Sequence, residues 1–72
     1  MKKTKKIKII LNGKSRSLQK ATSVYDLMRS LKMPMDKIAI ELNEEIINKK
    51  KIKSLYLKDK DKIEIVHFIG GG

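Results

Sequence analysis

The sequence predicts an α+β fold, a mixed sheet of four to five strands with one main helix on one face. Three observations carry this reading. Apolar residues alternate with period two in three places: Ile7, Ile9 and Leu11; Ile38, Ile40 and Leu42; Ile63 and Ile65. One stretch changes to helical spacing, with Val24, Leu27, Met28 and Leu31 at i, i+3, i+4 and i+7. The chain has 72 residues, enough for one small core and no second domain.

Each element has a local cause. Residues 7–11 form the first strand. Asn12-Gly13 follows, and both residues accept the positive φ of a type I′ turn, so residues 14–19 return as a polar edge strand. Ser23 caps the helix, and Asp26 at its third position suits the positive end of the dipole. Met33-Pro34 is expected to end it, because the residue before proline avoids helical geometry. Residues 38–42 read as the third strand and Asn43-Glu44 as a turn into residues 45–48. Lys49 to Lys53 reads as a basic loop, and a short helical turn is expected to bring Leu55 and Leu57 back to the core. Lys58-Asp59-Lys60-Asp61 is a polar turn, and residues 62–68 are the last strand with Ile63 and Ile65 inward. The order is β-β-α-β-β-β. Pairing of the first and last strands at the centre of the sheet gives the β-grasp arrangement.

Composition excludes several classes of function. The chain has no Cys and a single His, so it has no disulfide, thiol chemistry, cysteine-based metal site or histidine cluster. His67 is the only candidate base for a triad, and the acidic pairs Glu44/Glu45 and Asp59/Asp61 fall in turns, where they cap or solvate. The domain therefore reads as a non-enzyme. No apolar run approaches the roughly 18 residues of a membrane span. Ile7 to Leu11, interrupted by Lys8, is too short for a signal-peptide core, so a cytoplasmic protein is expected.

The net charge of +10 invites a nucleic-acid reading. Only two of the 18 basic residues are Arg, and Tyr25, Tyr56 and Phe68 are scattered, which offers neither base-edge readout nor a stacking platform. A solvated surface is the main reading, an acidic protein partner is the remaining option, and no nucleic acid is expected. A small basic β-grasp RNA-binding module stays as the alternative from a different class.

The tail is the most informative feature. The last strand runs into Phe68-Ile69, and Gly70, Gly71 and Gly72 follow. Glycines lack Cβ and let a backbone thread a narrow channel. They would deliver a carboxylate away from the globule. A carboxylate is a poor electrophile, and adenylation would give it a good leaving group for a sulfur or nitrogen nucleophile, with the electrostatics supplied by a partner enzyme.

Ile9-Ile10-Leu11-Asn12-Gly13, Val24-Tyr25-Asp26-Leu27-Met28, Ile38-Ala39-Ile40-Glu41-Leu42-Asn43 and the run from Asp61 to Gly72 together resemble the ThiS family of thiamine-biosynthesis sulfur carriers. The likeness covers nearly the whole chain from Lys6, and the ending is its specific part. Lys60 stands where the family commonly has a turn glycine, and Glu44-Glu45 where Asn-Gly is common.

The resemblance implies a ubiquitin-like β-grasp fold and adenylation of Gly72 by an E1-like, ThiF-like enzyme. Gly72 then becomes a thiocarboxylate whose sulfur passes to a ThiG-like thiazole synthase. Gly70 and Gly71 thread the tail, a partner enzyme donates the sulfur, and the ATP and magnesium belong to the activating partner, with no cofactor on this chain. Molybdopterin synthesis and tRNA thiolation remain alternative destinations for the same tail chemistry.

The expected organisation is a basic, flexible arm at 1–6, the domain at 7–69 and a flexible glycine tail at 70–72. Val66, Phe68 and Ile69, with Lys62 nearby, form the expected docking surface beside the tail. Period two places Val66 and Phe68 opposite Ile63 and Ile65, on a sheet face that one helix leaves uncovered.

Overall fold

A computed structural model describes residues 5–67 of the chain. The expectations for residues 1–4 and for Phe68, Ile69, Gly70, Gly71 and Gly72 lie outside the described residues.

The strands are β1 (Lys6–Leu11), β2 (Lys14–Gln19), β3 (Ile38–Leu42), β4 (Glu45–Ile46) and β5 (Lys62–His67), and the helix is α1 (Val24–Ser30). They build one five-stranded sheet in the order β2-β1-β5-β3-β4. β1 and β2 are antiparallel from Lys6↔Gln19 to Leu11↔Lys14. Their turn has Asn12 at φ 48° and Gly13 at φ 83°, the type I′ geometry that the Asn-Gly pair predicts.

Ser23 opens α1 with a reciprocal capping box. Its Oγ accepts from the Asp26 N–H at 3.0 Å, and the Asp26 carboxylate accepts from the Ser23 N–H at 3.2 Å. Val24, Leu27 and Met28 are buried against Ile9, Ile38, Ile40, Ile52, Leu57 and Ile63, which together make the core. Each such side chain contributes about 1.5–3 kcal/mol relative to exposure.

Two local expectations are corrected. The helix stops at Ser30, before Met33-Pro34 can act. Lys32 turns left-handed at φ 56°, its N–H donates to the Arg29 carbonyl at 3.0 Å, and the Met33 N–H donates to the Met28 carbonyl at 3.1 Å. That pair of bonds is a Schellman closure, which ends a helix without help from proline. The second correction is to the helical turn near Leu55 and Leu57, which lies earlier, as a 3-10 turn at Lys49–Lys51. Asn48 starts it by accepting the Lys50 N–H on Oδ1 at 2.8 Å. Placing the turn there carries Ile52 into the core and also limits β4 to Glu45–Ile46. Leu57 is buried and Leu55 half-buried, but they sit on the non-helical stretch that bridges Ser23 through Tyr56.

Lys60 has φ 73°, so this turn keeps the left-handed backbone for which glycine is suited while carrying a side chain. Replacing Lys60 by glycine relieves that strain at some cost in unfolded-chain entropy, for a net gain of about 0.5–1 kcal/mol. Urea unfolding of the two proteins measures it. A midpoint that falls in the glycine variant would mean the turn is unstrained.

Candidate functional site: the final strand and its open face

β5 is the strand from which the chain continues toward Gly72, and it lies between two neighbours. On one side β1 runs parallel to it at Ile10↔Lys62 and Leu11↔Ile63. On the other, β3 runs antiparallel along its whole length, from Leu42↔Ile63 to Ile38↔His67. Because β1 turns away at Asn12, the last residues of β5 are flanked by β3 alone among the paired strands.

Two asparagines finish the pairing where the backbone cannot. The Asn12 backbone N–H donates to the Ile63 carbonyl at 2.9 Å, and its side-chain Oδ1 accepts the Ile65 N–H at 2.8 Å. The side chain thus supplies the next ladder acceptor after the strand has turned into the hairpin. Asn43 does the same at the other end of β5. Its Oδ1 accepts the Lys62 N–H at 2.9 Å, and its Nδ2 donates to Asp61 Oδ1 at 3.0 Å. Both residues are left-handed, at φ 48° and 52°, a conformation that asparagine tolerates well.

Asp59 and Asp61 organise the approach to β5, in line with their reading as turn-capping residues. Asp59 Oδ1 accepts the Lys8 N–H at 2.8 Å, and Asp61 Oδ2 accepts the Lys58 N–H at 2.7 Å.

The outer face of the sheet follows from the register. Lys62, Glu64 and Val66 share it with Ile10, Ala39, Glu41 and Ile46. Val66 is 51% exposed, Ile10 38% and Ile46 76%, so the uncovered face carries three large apolar side chains. Lys62 is on this face, with its Nζ 3.7 Å from the Glu44 carboxylate. Glu64 stands opposite Glu41, so the charge around Val66 is mixed. His67 is exposed on the other face of β5, opposite Ile38.

Asn12 and Asn43 were legible only as turn formers. Their side-chain role depends on which strand lies beside the turn, which no local pattern encodes. Ile46 sits on a two-residue strand whose partner, Glu41, decides its face.

A five-stranded mixed sheet with its first and last strands parallel and adjacent, crossed by one helix, defines a ubiquitin-like β-grasp domain. The description "ThiS family" matches residues 9–72, and the chain belongs to that family. It is 43% identical over 63 residues to the sulfur carrier protein ThiS of Bacillus subtilis, covering 86% of this chain and 96% of that one. A crystal structure of the thiamine biosynthesis protein ThiS from Geobacter metallireducens superposes with a TM-score of 0.79 at 28% identity, covering 92% of this chain and all of that one. The chain is also 35% identical over 66 residues to a thiazole synthase of Magnetococcus marinus, where it spans only 20% of the relative's length.

The Asn12 amide gives a direct test of how β5 is held. Asn12→Ala loses the bond to Ile65 and strains the left-handed turn, and it should destabilise the fold by about 1–3 kcal/mol. Asn12→Gly keeps the turn and loses only the bond, so it should cost less, about 0.5–1.5 kcal/mol. Equal stability of the parent and both variants in thermal unfolding would show that the amide does not secure the strand.

Proposed function

We propose that the chain is a sulfur carrier for formation of the thiazole of thiamine, with Gly72 as the loaded residue. Membership of the ThiS family over residues 9–72, a match that runs through the glycine tail, is the observation that carries this reading. In the proposed cycle the Gly72 carboxylate attacks the α-phosphate of ATP held by a ThiF-like enzyme and releases pyrophosphate. Hydrosulfide supplied by a donor enzyme then attacks the acyl carbon and expels AMP, so a C–S bond replaces the C–O bond to AMP and a thiocarboxylate is left. The thiocarboxylate is the nucleophilic sulfur that a ThiG-like thiazole synthase consumes. A thiazole synthase relative that carries a segment similar to this chain supports that last partner. ATP and magnesium stay with the activating enzyme, and the chain acts as carrier, not catalyst.

The docking surface in this reading is the outer face at the tail end of β5, with Val66 on it and Lys62 at its far end, and Phe68 and Ile69, which follow in the sequence, belong to the proposed contact. Exposed Val66 supplies apolar area of the kind found at interface centres, and Ile10 lies at the far end beside Lys62. Glu44 beside Lys62 makes that lysine a modest contributor to steering.

Incubation with the activating enzyme, ATP and a sulfur source should raise the intact mass by the replacement of one oxygen with sulfur. Fragmentation should place the sulfur on Gly72, and sulfur on any other residue overturns the reading. Deleting Gly71 and Gly72 should abolish loading while leaving stability within about 0.5 kcal/mol of the parent. A large fall in melting temperature would instead assign the tail a structural role.

Val66→Asp and Phe68→Ala should each weaken binding to the activating enzyme by roughly 1–3 kcal/mol, with the fold retained. Calorimetry measures this, and unchanged affinity in both would place the docking surface elsewhere.

A further inference from the structure

Among the described residues, cations that form no ion pair gather on the helix side of the sheet, away from the face that carries Val66. An open groove of about 560 Å³ lies there, between α1 and the 3-10 turns at Met35–Lys37 and Lys49–Lys51. Tyr25, Met35 and Ile52 give it apolar lining, and Lys50, Lys53 and Asp36 give it charge. The lining is held by backbone contacts, since the Tyr25 N–H donates to the Ile52 carbonyl at 3.2 Å. Lys53 Nζ lies 4.9 Å from the centre of the Tyr25 ring, and Arg29 Cζ lies 5.9 Å from it.

Lys49 has a separate task. Its ammonium donates to the carbonyls of Met35 and Ile38 at 2.8 and 2.7 Å, which ties the second 3-10 turn to the start of β3. Arg29, Lys50 and Lys53 remain as cations around the groove. Among the described residues the only ion pair is Lys62–Glu44, so no carboxylate neutralises these three at contact distance. The location is also informative. Ile38, whose carbonyl Lys49 holds, is the register partner of His67, the last residue of β5. The groove therefore lies at the end of the sheet from which the chain leaves toward Gly72.

We propose that this groove docks an acidic segment of a partner protein, with an apolar side chain set between carboxylates. The apolar side chain would cover Tyr25, Met35 and Ile52, and the carboxylates would meet Arg29, Lys50 and Lys53. Complementary charge of this kind raises association rate and fixes orientation. A protein segment fits better than RNA because the groove has one aromatic ring, which cations already flank, so successive bases have no platform. Asp36 on the Met35 side of the lining leaves the Arg29, Lys50 and Lys53 side as the place for the carboxylates. The inference rests on the carrier reading only in taking the partner to be a protein that receives the tail.

The test is an NMR titration of the isotope-labelled full chain with a short synthetic peptide, a leucine flanked by glutamates. A peptide with lysines in place of the glutamates and a uridine oligonucleotide are the comparisons. The glutamate peptide should give saturable shifts at the amides of Tyr25, Met35, Ile52 and Lys53. Its affinity should fall roughly tenfold in a Lys50→Glu/Lys53→Glu variant, and should also fall in added salt. If that variant does not fold, the milder Lys50→Gln/Lys53→Gln pair should show a smaller loss in the same direction.

Absence of saturable shifts at the groove overturns the proposal. So does unchanged affinity in the variants, shifts confined to the Val66 face, or tighter binding of the oligonucleotide at the same amides. Sulfur loading of Gly72 is read separately, so failure of the groove and failure of the carrier reading give different results.

Discussion

The parallel pairing of β1 with β5 is the constraint on which the rest of the molecule depends. Ile10 and Leu11 meet Lys62 and Ile63 across some fifty residues of chain, and no hairpin can bring them together. Everything between must first reverse direction, cross the sheet as α1 and return as β3. Such long-range closure carries an entropic cost that only a completed core offsets. Ile9, Leu27, Met28, Ile40 and Ile63 supply that core on one face, and no described element covers the other. The strand leading to Gly72 is therefore held on both sides, by β1 at its start and by β3 from Ile63 to His67. Asn12 and Asn43 complete its ladder with side-chain amides where neighbouring backbone has turned away.

Much of this was legible in the sequence because it is local. Asn12-Gly13 specifies its turn through φ alone, and Ser23 with Asp26 specifies a cap through side-chain reach. The alternation at Ile38, Ile40 and Leu42 specifies which residues face inward. Where the structure departs from the local pattern, a competing local interaction acts first. The Schellman closure at Lys32 ended α1 before Pro34 could, and Asn48 nucleated a 3-10 turn inside what looked like a plain lysine run. Ile52 was hidden by the lysines around it, because one apolar residue in a basic stretch has no period to betray it. The open-face patch was partly legible: Val66 follows from the period of two, but Ile10 and Ile46 join it only through the register of neighbouring strands.

The distribution of charge separates the two sides of the domain. On the open face Lys62 is matched by Glu44, and Glu41 and Glu64 face each other, so that surface joins apolar area to mixed charge. On the helix side Arg29 and Lys53 flank the Tyr25 ring and Lys50 lines the same groove, and among the described residues none of the three is in an ion pair. In the proposed cycle one tail passes between an activating enzyme and a thiazole synthase, and two chemically different surfaces on the domain would give it two ways to be held. The net charge of +10 is thus more than a uniform coat.

In the proposed function the domain offers the Gly72 carboxylate for activation. ATP–pyrophosphate exchange with a ThiF-like adenylating enzyme is the decisive measurement, because it reads reversible formation of the acyl-adenylate before any sulfur is involved. Labelled pyrophosphate should enter ATP only when both the enzyme and this chain are present, and the exchange should disappear when Gly72 is removed. Exchange that persists without Gly72, or none at all with an enzyme active on another ThiS-family carrier, would contradict it.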